Sequence, residues 1–236
     1  MSDRALPFRH LAITPWPLPP ASALTPWIRR GIRADIAVLL RGPGLTGGDV
    51  LRSPGAAPLL EALVTAGVPT LLSCTVAELR GAGPWMRAGI SGVQFKGDPS
   101  NAVAREARER MGPTAILGCS CHGAPRDLSD AWSYATVSPI FDLATAGTER
   151  EDGKPSRGMG LQPLRAWSAS PVPVLALGGI SSERIEPCLA TGAHGVAGIR
   201  LFFGDAQRVE ENMAKLRSAT STAIDAHTRH ASPKTV

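Results

Sequence analysis

The sequence predicts an α/β fold, a single (β/α)8 TIM barrel. Eight short, mostly apolar runs occur along its 236 residues, and such runs are typical of parallel strands that are covered on both faces. The segments between them are long enough for crossover helices. Glycine turns follow the last two runs, at the place where barrels of this kind frequently bind phosphate. An open, doubly wound sheet is the alternative fold, but eight strand–helix units in this length favour closure.

The first four predicted strands are the apolar runs at residues 10–14, 35–40, 69–73 and 91–95. The second four are the runs at residues 114–118, 133–138, 172–177 and 194–199. Residues 59–66 have the pattern of a crossover helix. Another helix is predicted to begin at the N-cap Ser182 and to run towards Ala190, with a kink or an irregular first turn at Pro187.

We assign residues 1–216 to the barrel domain and expect residues 217–236, which are small and polar, to form a flexible C-terminal tail. The polar segment at residues 144–160 follows the sixth strand directly. It therefore lies over the predicted barrel mouth, as either a tolerated surface loop or a mobile lid.

Composition and charge narrow the classes of function. The N-terminus lacks the apolar run of a signal peptide, and no stretch approaches the ~20 apolar residues that span a bilayer, so we expect a cytoplasmic protein without a membrane partner. The net charge is +5. Its densest cluster, at Arg29, Arg30 and Arg33, is not interleaved with aromatic residues, so we predict no nucleic-acid partner and favour a small anionic ligand.

Two further groups of residues have structural interpretations. The arginines 105, 108 and 110 alternate with glutamates and predict a solvated helix face. The four cysteines are too few for a disulfide scaffold in a chain of this size, so we expect free thiols.

The glycine turns after the seventh and eighth strands predict an anion site. Gly178 and Gly179 follow one strand and Gly198 ends the next, so that backbone N–H groups there are not covered by side chains. Ala197 and Ile199 flank the second turn and are predicted to contact the same ligand. We expect Arg200 to point into solvent.

Five motifs occur in order along the chain: GCSCH at 118–122, SPIF at 138–141, GLQPL at 160–164, LGGI at 177–180 and TGAHGVA at 191–197. Together they resemble the thiamine phosphate synthase and TenI superfamily from the first strand to the helix after the eighth. The resemblance implies a phosphorylated small-molecule heterocycle as ligand, and it leaves a homodimer open.

The chain departs from the synthase branch where that branch binds a diphosphate through magnesium. Ser73 and Cys74 replace an Asn-Asp pair, and Asp98 is the one acid that could serve as a displaced magnesium ligand. The Thr-Lys element after the SPIF motif is also replaced, unless Lys154 reaches back. The chain is therefore more similar to TenI-type thiazole tautomerases, which need no cofactor; Mg is implied only if the synthase alternative holds.

His122 is the predicted catalytic residue, since the resemblance places an acid/base histidine there and imidazole exchanges protons near neutral pH. Side chains alternate along an extended segment, so Ser120 shares the face of His122, whereas Cys119 and Cys121 share the other. No fourth ligand lies nearby, and we predict no metal site.

Arg41 and Ser138 complete the predicted substrate-binding set. Arg41 matches a basic position that faces the ligand in the family, and its guanidinium can pair with a carboxylate or a phosphate. Ser138 opens the SPIF motif. The leading hypothesis is a TenI-like thiazole tautomerase, and the alternatives are a thiamine phosphate synthase and a non-catalytic barrel that binds a phosphate ligand.

Overall fold

Eight parallel strands form a closed barrel in chain order, and β1 pairs with β8 to complete it. The computed structural model describes residues 6–30, 35–142 and 157–231. The strands are β1 His10–Ile13, β2 Ile36–Leu40, β3 Thr70–Cys74, β4 Gly92–Phe95, β5 Ile116–Cys121, β6 Tyr134–Val137, β7 Val174–Leu177 and β8 Gly195–Gly198. Every strand overlaps its predicted run, and the predicted (β/α)8 barrel is confirmed.

Helices cover the outside of the barrel. They are α1 Thr25–Arg30, α2 Gly47–Arg52, α3 Ala56–Thr65, α4 Ala82–Arg87, α5 Asn101–Met111, α6 Leu161–Trp167, α7 Ile185–Leu189 and α8 Ala206–Ala231. The predicted helix at 59–66 falls almost wholly within α3. The predicted irregular turn before Pro187 is a 3-10 helix, Ser182–Arg184, which leads into α7. None of these described helices is long and apolar enough to cross a membrane.

One crossover differs from the predicted alternation, because residues 122–133 between β5 and β6 contain no helix. The side chain of Asn101 organises this crossover instead. Its Oδ1 accepts hydrogen bonds from the backbone N of Ser129 at 3.0 Å and from Nε1 of Trp132 at 3.1 Å. The Trp132 ring then packs edge-on against Phe95, with 5.9 Å between centroids. A buried indole thus covers the strands where a helix would otherwise lie.

The arginines of α5 also differ from the prediction of a solvated face. Arg110 and Glu106 do form an exposed pair at 3.0 Å. Arg108, however, turns inward and donates to the carbonyl of Ala131 at 3.0 Å and to Oγ of Ser133 at 2.8 Å. This side chain fastens α5 to the segment that precedes β6, so its role is structural.

Two apolar clusters make up the core. The larger lies between strands and helices, and all four cysteines are buried and unpaired in it. The smaller fills the barrel interior, where Phe8 and Tyr134 meet edge-on with 5.4 Å between ring centroids. These rings fill the N-terminal end of the barrel interior, so within the described residues the interior is open to a ligand from the C-terminal ends of the strands.

The predicted boundary at residue 216 falls inside α8. Thr220, which lies beyond it, is buried and its Oγ1 is 3.0 Å from Nε2 of His10 on β1. Packing against the barrel therefore extends at least to Thr220.

Other sequence predictions fall outside the described residues: Arg33, Lys154 and most of the polar segment at 144–160. Whether that segment is a lid stays a prediction.

Candidate active site

A cavity of about 210 Å³ opens at the C-terminal ends of the strands. One wall of the cavity is apolar and the other is mainly polar. The apolar wall comes from β1, β2 and β7 and consists of Ile13, Leu39 and Leu177. The opposite wall, from β3 to β6 and the turn after β4, is mainly polar and consists of Ser73, Gln94, Lys96, Gly97, Ser120, His122 and Thr136, with Arg41 at the end of β2. Such a cavity suits a flat ligand with one apolar side.

Alternation along β5 sorts its side chains as the sequence predicts. Ser120 and the following His122 line the cavity. Cys119 and Cys121 are fully buried on the opposite side of the strand, in the layer between strands and helices. The two thiols therefore cannot join the His122 imidazole as ligands of one ion, and the described residues contain no cluster of three or more metal-binding side chains.

The Asp98 carboxylate holds His122 at two points. Its Oδ1 accepts from the backbone N of His122 at 2.8 Å, and its Oδ2 lies 2.9 Å from Nδ1 of the imidazole. The two side chains are 42% and 48% exposed, so the pair stands at the cavity rim where a ligand can reach it. Nε2 of His122 has no hydrogen-bond partner in the described part of the chain. An imidazole with one occupied and one free nitrogen is suited to proton transfer.

Gln94 joins the polar wall into one network. Its Nε2 donates to Oγ of Ser120 and to Oγ1 of Thr136, both at 3.1 Å. The side chain is buried, and its Oε1 lacks a partner among the described residues. Because Nε2 donates to both hydroxyls, the hydroxyl protons of Ser120 and Thr136 remain available to a ligand acceptor.

Two cationic side chains, Arg41 and Lys96, line the same cavity. The backbone N of Arg41 donates to Oγ1 of Thr14 at 3.1 Å, which fixes the end of β2. Burial lowers the pKa of Arg41, but a guanidinium stays protonated at neutral pH. Nζ of Lys96 donates to the carbonyl of Leu45 at 3.3 Å and is held at the cavity wall. The pair provides positive charge for an anionic group of a ligand.

The glycine turns lie beyond β7 and β8, outside the cavity lining. Gly178 and Gly179 have φ of 93° and 65°, which L side chains rarely adopt. A Cβ on Gly179 would lie 2.8 Å from Cβ of Phe141, so the passing chain also requires glycine. The backbone N–H groups of Gly179, Ile180 and Ile199 donate to no other group in the described ranges. Free N–H groups of this kind can bind an oxyanion.

The predicted site residues thus fall into two groups. Arg41, Ser120 and His122 line the cavity. The others lie at the ends of β6, β7 and β8 on the same face of the barrel: Ser138, Gly178, Gly179, Ala197, Gly198 and Ile199. Of these, Ala197 is fully buried in the barrel interior, and Ile199 is 37% exposed. Arg200 is exposed, in line with its predicted position. Ligand contact by this second group stays a prediction.

Sequence reasoning left several cavity residues out of the predicted site, among them Gln94, Lys96 and Thr136, and it missed the partner of His122. Gln94 on β4, Lys96 directly after β4 and Thr136 on β6 are at inward positions, and strand alternation alone could have identified them. Asp98 was considered as a metal ligand, whereas the structure pairs it with His122. Its position depends on the backbone of the turn after β4, which the sequence pattern does not determine.

The residues present do not fit a magnesium–diphosphate site. Cys74, which replaces an acid of the synthase pattern, is fully buried in the outer core, and burial raises the pKa of its thiol to about 12. Both oxygens of Asp98 already accept hydrogen bonds from His122. Magnesium prefers carboxylate and water oxygens, so neither a neutral thiol nor this engaged carboxylate provides its usual ligand set.

Known proteins resemble this chain both in sequence and in fold. A family model described as thiamine monophosphate synthase (TMP-TENI) matches residues 85–202. The thiamine-phosphate synthase of Agrobacterium fabrum is 30% identical over 178 residues, which are 72% of this chain and 73% of that protein. A putative thiamine-phosphate synthase 2 of Aquifex aeolicus is 32% identical over 108 residues, 44% of this chain and 54% of that protein.

The matched segment spans about half of several curated relatives, between 48% and 60% for three of them. Among solved structures, thiamine phosphate pyrophosphorylase from Pyrococcus furiosus superposes with a TM-score of 0.64 at 19% identity, covering 92% of this chain and 96% of that one. At this identity the superposition supports the barrel fold alone.

Proposed function

Because the chain belongs to the thiamine monophosphate synthase (TMP-TENI) family, we propose that it is an enzyme of thiamine biosynthesis that tautomerises a thiazole carboxylate phosphate. The observation that carries this proposal is the His122 imidazole at the cavity rim, held through Nδ1 and free at Nε2. A tautomerase needs one group that removes a proton and returns it elsewhere on the same molecule. A neutral imidazole does both.

The cavity can hold such a substrate at three places. The apolar wall of Ile13, Leu39 and Leu177 packs against one face of a thiazole ring. Arg41 and Lys96 pair with its carboxylate. The free N–H groups after β7 and β8 bind the phosphate at the end of the side chain, and that position is where barrels of this class frequently bind phosphate.

The proposed reaction moves one proton and leaves the composition of the substrate unchanged. Nε2 of His122 takes a proton from a ring carbon, and the electron pair of the broken C–H bond enters the ring system. The imidazolium then donates the proton to a carbon outside the ring, which leaves the thiazole aromatic. The Asp98 carboxylate compensates the positive charge of His122 between the two steps. No metal takes part in either step.

The test is a His122→Ala variant assayed with the non-aromatic tautomer of the thiazole carboxylate phosphate, followed by the absorbance of the aromatic product. We expect turnover to fall by ~10²-fold or more, the usual range for a lost acid/base group, while calorimetry shows product binding within a few-fold of wild type. Glu61→Ala, an exposed side chain on α3, is the control and should keep full activity. Equal turnover by the wild type and His122→Ala would refute the assignment. Ligand binding without turnover by the wild type would indicate a non-catalytic barrel.

Thiamine phosphate synthesis is the second candidate, because the curated relatives carry that name. It requires a pyrimidine diphosphate beside the thiazole phosphate and magnesium on the diphosphate. The buried Cys74 thiol and the engaged Asp98 carboxylate disfavour it. Formation of thiamine phosphate from both substrates with magnesium, at a rate above that of tautomerisation, would establish the synthase and displace our proposal.

A further inference from the structure

We propose that Asp98 is a positioning residue: it holds His122 in the tautomer protonated at Nδ1 and thereby makes Nε2 the atom that accepts the proton. The catalytic consequence rests on the proposed function, but the tautomer itself is a property of the free protein. It can therefore be measured without any substrate.

Hydrogen-bond chemistry determines the tautomer. An ionised carboxylate accepts hydrogen bonds and cannot donate them. Oδ2 of Asp98 lies 2.9 Å from Nδ1 of His122, so Nδ1 must carry the proton. Only one nitrogen of a neutral imidazole is protonated, which leaves the lone pair on Nε2. Nε2 has no other partner in the described ranges, and His122 lines the cavity.

The second contact makes the arrangement rigid. Oδ1 of Asp98 accepts from the backbone N of His122 at 2.8 Å, so one carboxylate fixes both the main chain and the ring of the same residue. The bond to the backbone holds the carboxylate in place relative to the main chain of His122. The other oxygen of the same planar group is thereby kept beside Nδ1 of the ring.

The backbone of the turn after β4 supports the same interpretation. Asp98 has a φ of 52°, and it is the one non-glycine residue with positive φ in the described part of the chain. Gly97, directly before it, has a φ of 75°. Two successive left-handed residues carry the carboxylate from β4 across to the end of β5. Aspartate is one of the few non-glycine residues that adopt this conformation, and here it directs the carboxylate to the backbone and the ring of His122.

An amide at position 98 should reverse the tautomer. In Asp98→Asn the backbone N–H of His122 still needs an acceptor, and the single amide oxygen meets that need. The amide NH2 group then faces Nδ1. Because that group donates, Nδ1 must become the acceptor and the proton moves to Nε2. Asparagine also tolerates positive φ, so the variant should fold.

The experiment is long-range ¹H–¹⁵N NMR of the ligand-free protein with ¹⁵N-labelled histidine at about pH 8.5, where an ordinary imidazole is neutral. We expect the wild type and the control Asp130→Asn, an exposed carboxylate in the β5–β6 crossover, to show His122 protonated at Nδ1. Asp98→Asn should show it protonated at Nε2. Asp98→Gly, which removes the side chain and relieves the backbone, should show a mixture. An unchanged His122 tautomer in Asp98→Asn or Asp98→Gly would overturn the proposal.

Kinetics separate this proposal from the proposed function. With the thiazole substrate, Asp98→Asn should lose ~10²-fold or more in kcat while KM changes by less than about threefold, because the ligand contacts stay in place. A tautomer that reverses in a protein without tautomerase activity would refute the function and leave the positioning role intact. Full activity of Asp98→Asn with a reversed tautomer would refute the catalytic role of the positioning.

Discussion

Acidification should destabilise this barrel, because His10 is buried in its neutral form between β1, β8 and α8. The side chain is 1% exposed. Its Nδ1 accepts from the backbone N of Val196 at 3.2 Å, so Nε2 carries the proton and donates to Oγ1 of Thr220 at 3.0 Å. That hydroxyl donates in turn to the carbonyl of Leu216 at 2.7 Å. A second proton on the ring would break the bond from Val196.

The size of the effect follows from proton linkage. Burial, reinforced by electrostatic interaction with His194 and Arg9, lowers the pKa of His10 to about 3, against ~6.5 in the unfolded chain. Above pH 6.5 both states are neutral at this site and no stability is lost. As the pH falls from 6.5 towards 3, the unfolded state binds a proton that the folded state does not. Between pH 7 and pH 5 the loss from His10 is ~2 kcal/mol.

The assay compares the wild type with His10→Gln, whose amide NH2 can still donate to Thr220 but does not titrate. Urea unfolding at pH 7 and pH 5 gives the free energy of unfolding for each protein. We expect the wild type to lose ~2 kcal/mol more than His10→Gln between the two pH values. His194, whose pKa is also lowered by burial, is present in both proteins and largely cancels. Equal losses in the two proteins would refute the reasoning.

Three further predictions concern the anion site, the cavity cation and α8. Gly198→Ala should fold normally, since its Cβ would have no neighbour closer than 3.8 Å. The variant should bind inorganic phosphate ~10-fold more weakly than the wild type, as measured by calorimetry. Unchanged affinity would contradict an anion site at this turn. Lys96→Met should weaken binding of the thiazole carboxylate phosphate by ~1.5–3 kcal/mol and leave the affinity for an analogue without the carboxylate unchanged. Equal losses of affinity for both compounds would refute the pairing of Lys96 with the carboxylate. Thr220→Val should lower the free energy of unfolding by ~1–3 kcal/mol, because Nε2 of His10 loses its hydrogen-bond acceptor. The control Thr222→Val, at an exposed position, should change that free energy little. Equal effects of the two substitutions would count against the buried contact between Thr220 and His10.

The barrel could be predicted from the sequence because its determinants are local. Each strand is a short apolar run that is buried on both faces, and the period-2 alternation of β5 was enough to separate Ser120 and His122 from Cys119 and Cys121. The sequence also predicted a glycine turn after β7, and Gly178 and Gly179 in that turn have positive φ.

The contacts that sequence reasoning missed are set by geometry between segments. Asp98 reaches His122 only because two left-handed residues redirect the chain after β4, and nothing in its neighbouring residues specifies that pairing. The sequence pattern assigns Arg108 to a charged helix face. Its hydrogen-bond acceptors, however, come from the segments before β5 and before β6. Between β5 and β6, where a helix was expected, the Trp132 ring packs against Phe95 instead. Each of these depends on which segments become neighbours after folding.

Isotope incorporation tests the central claim, proton transfer by His122 without a metal, most directly. The non-aromatic thiazole carboxylate phosphate is converted in D2O with an excess of EDTA, and the product is analysed by NMR. Because the His122 side chain is 48% exposed, its imidazolium exchanges its proton with the solvent between the two steps. The account therefore predicts deuterium at the newly protonated carbon, a wild-type rate that EDTA does not reduce, and no conversion above background by His122→Ala. Loss of wild-type conversion in EDTA, or deuterium incorporation by His122→Ala at the wild-type rate, would contradict it.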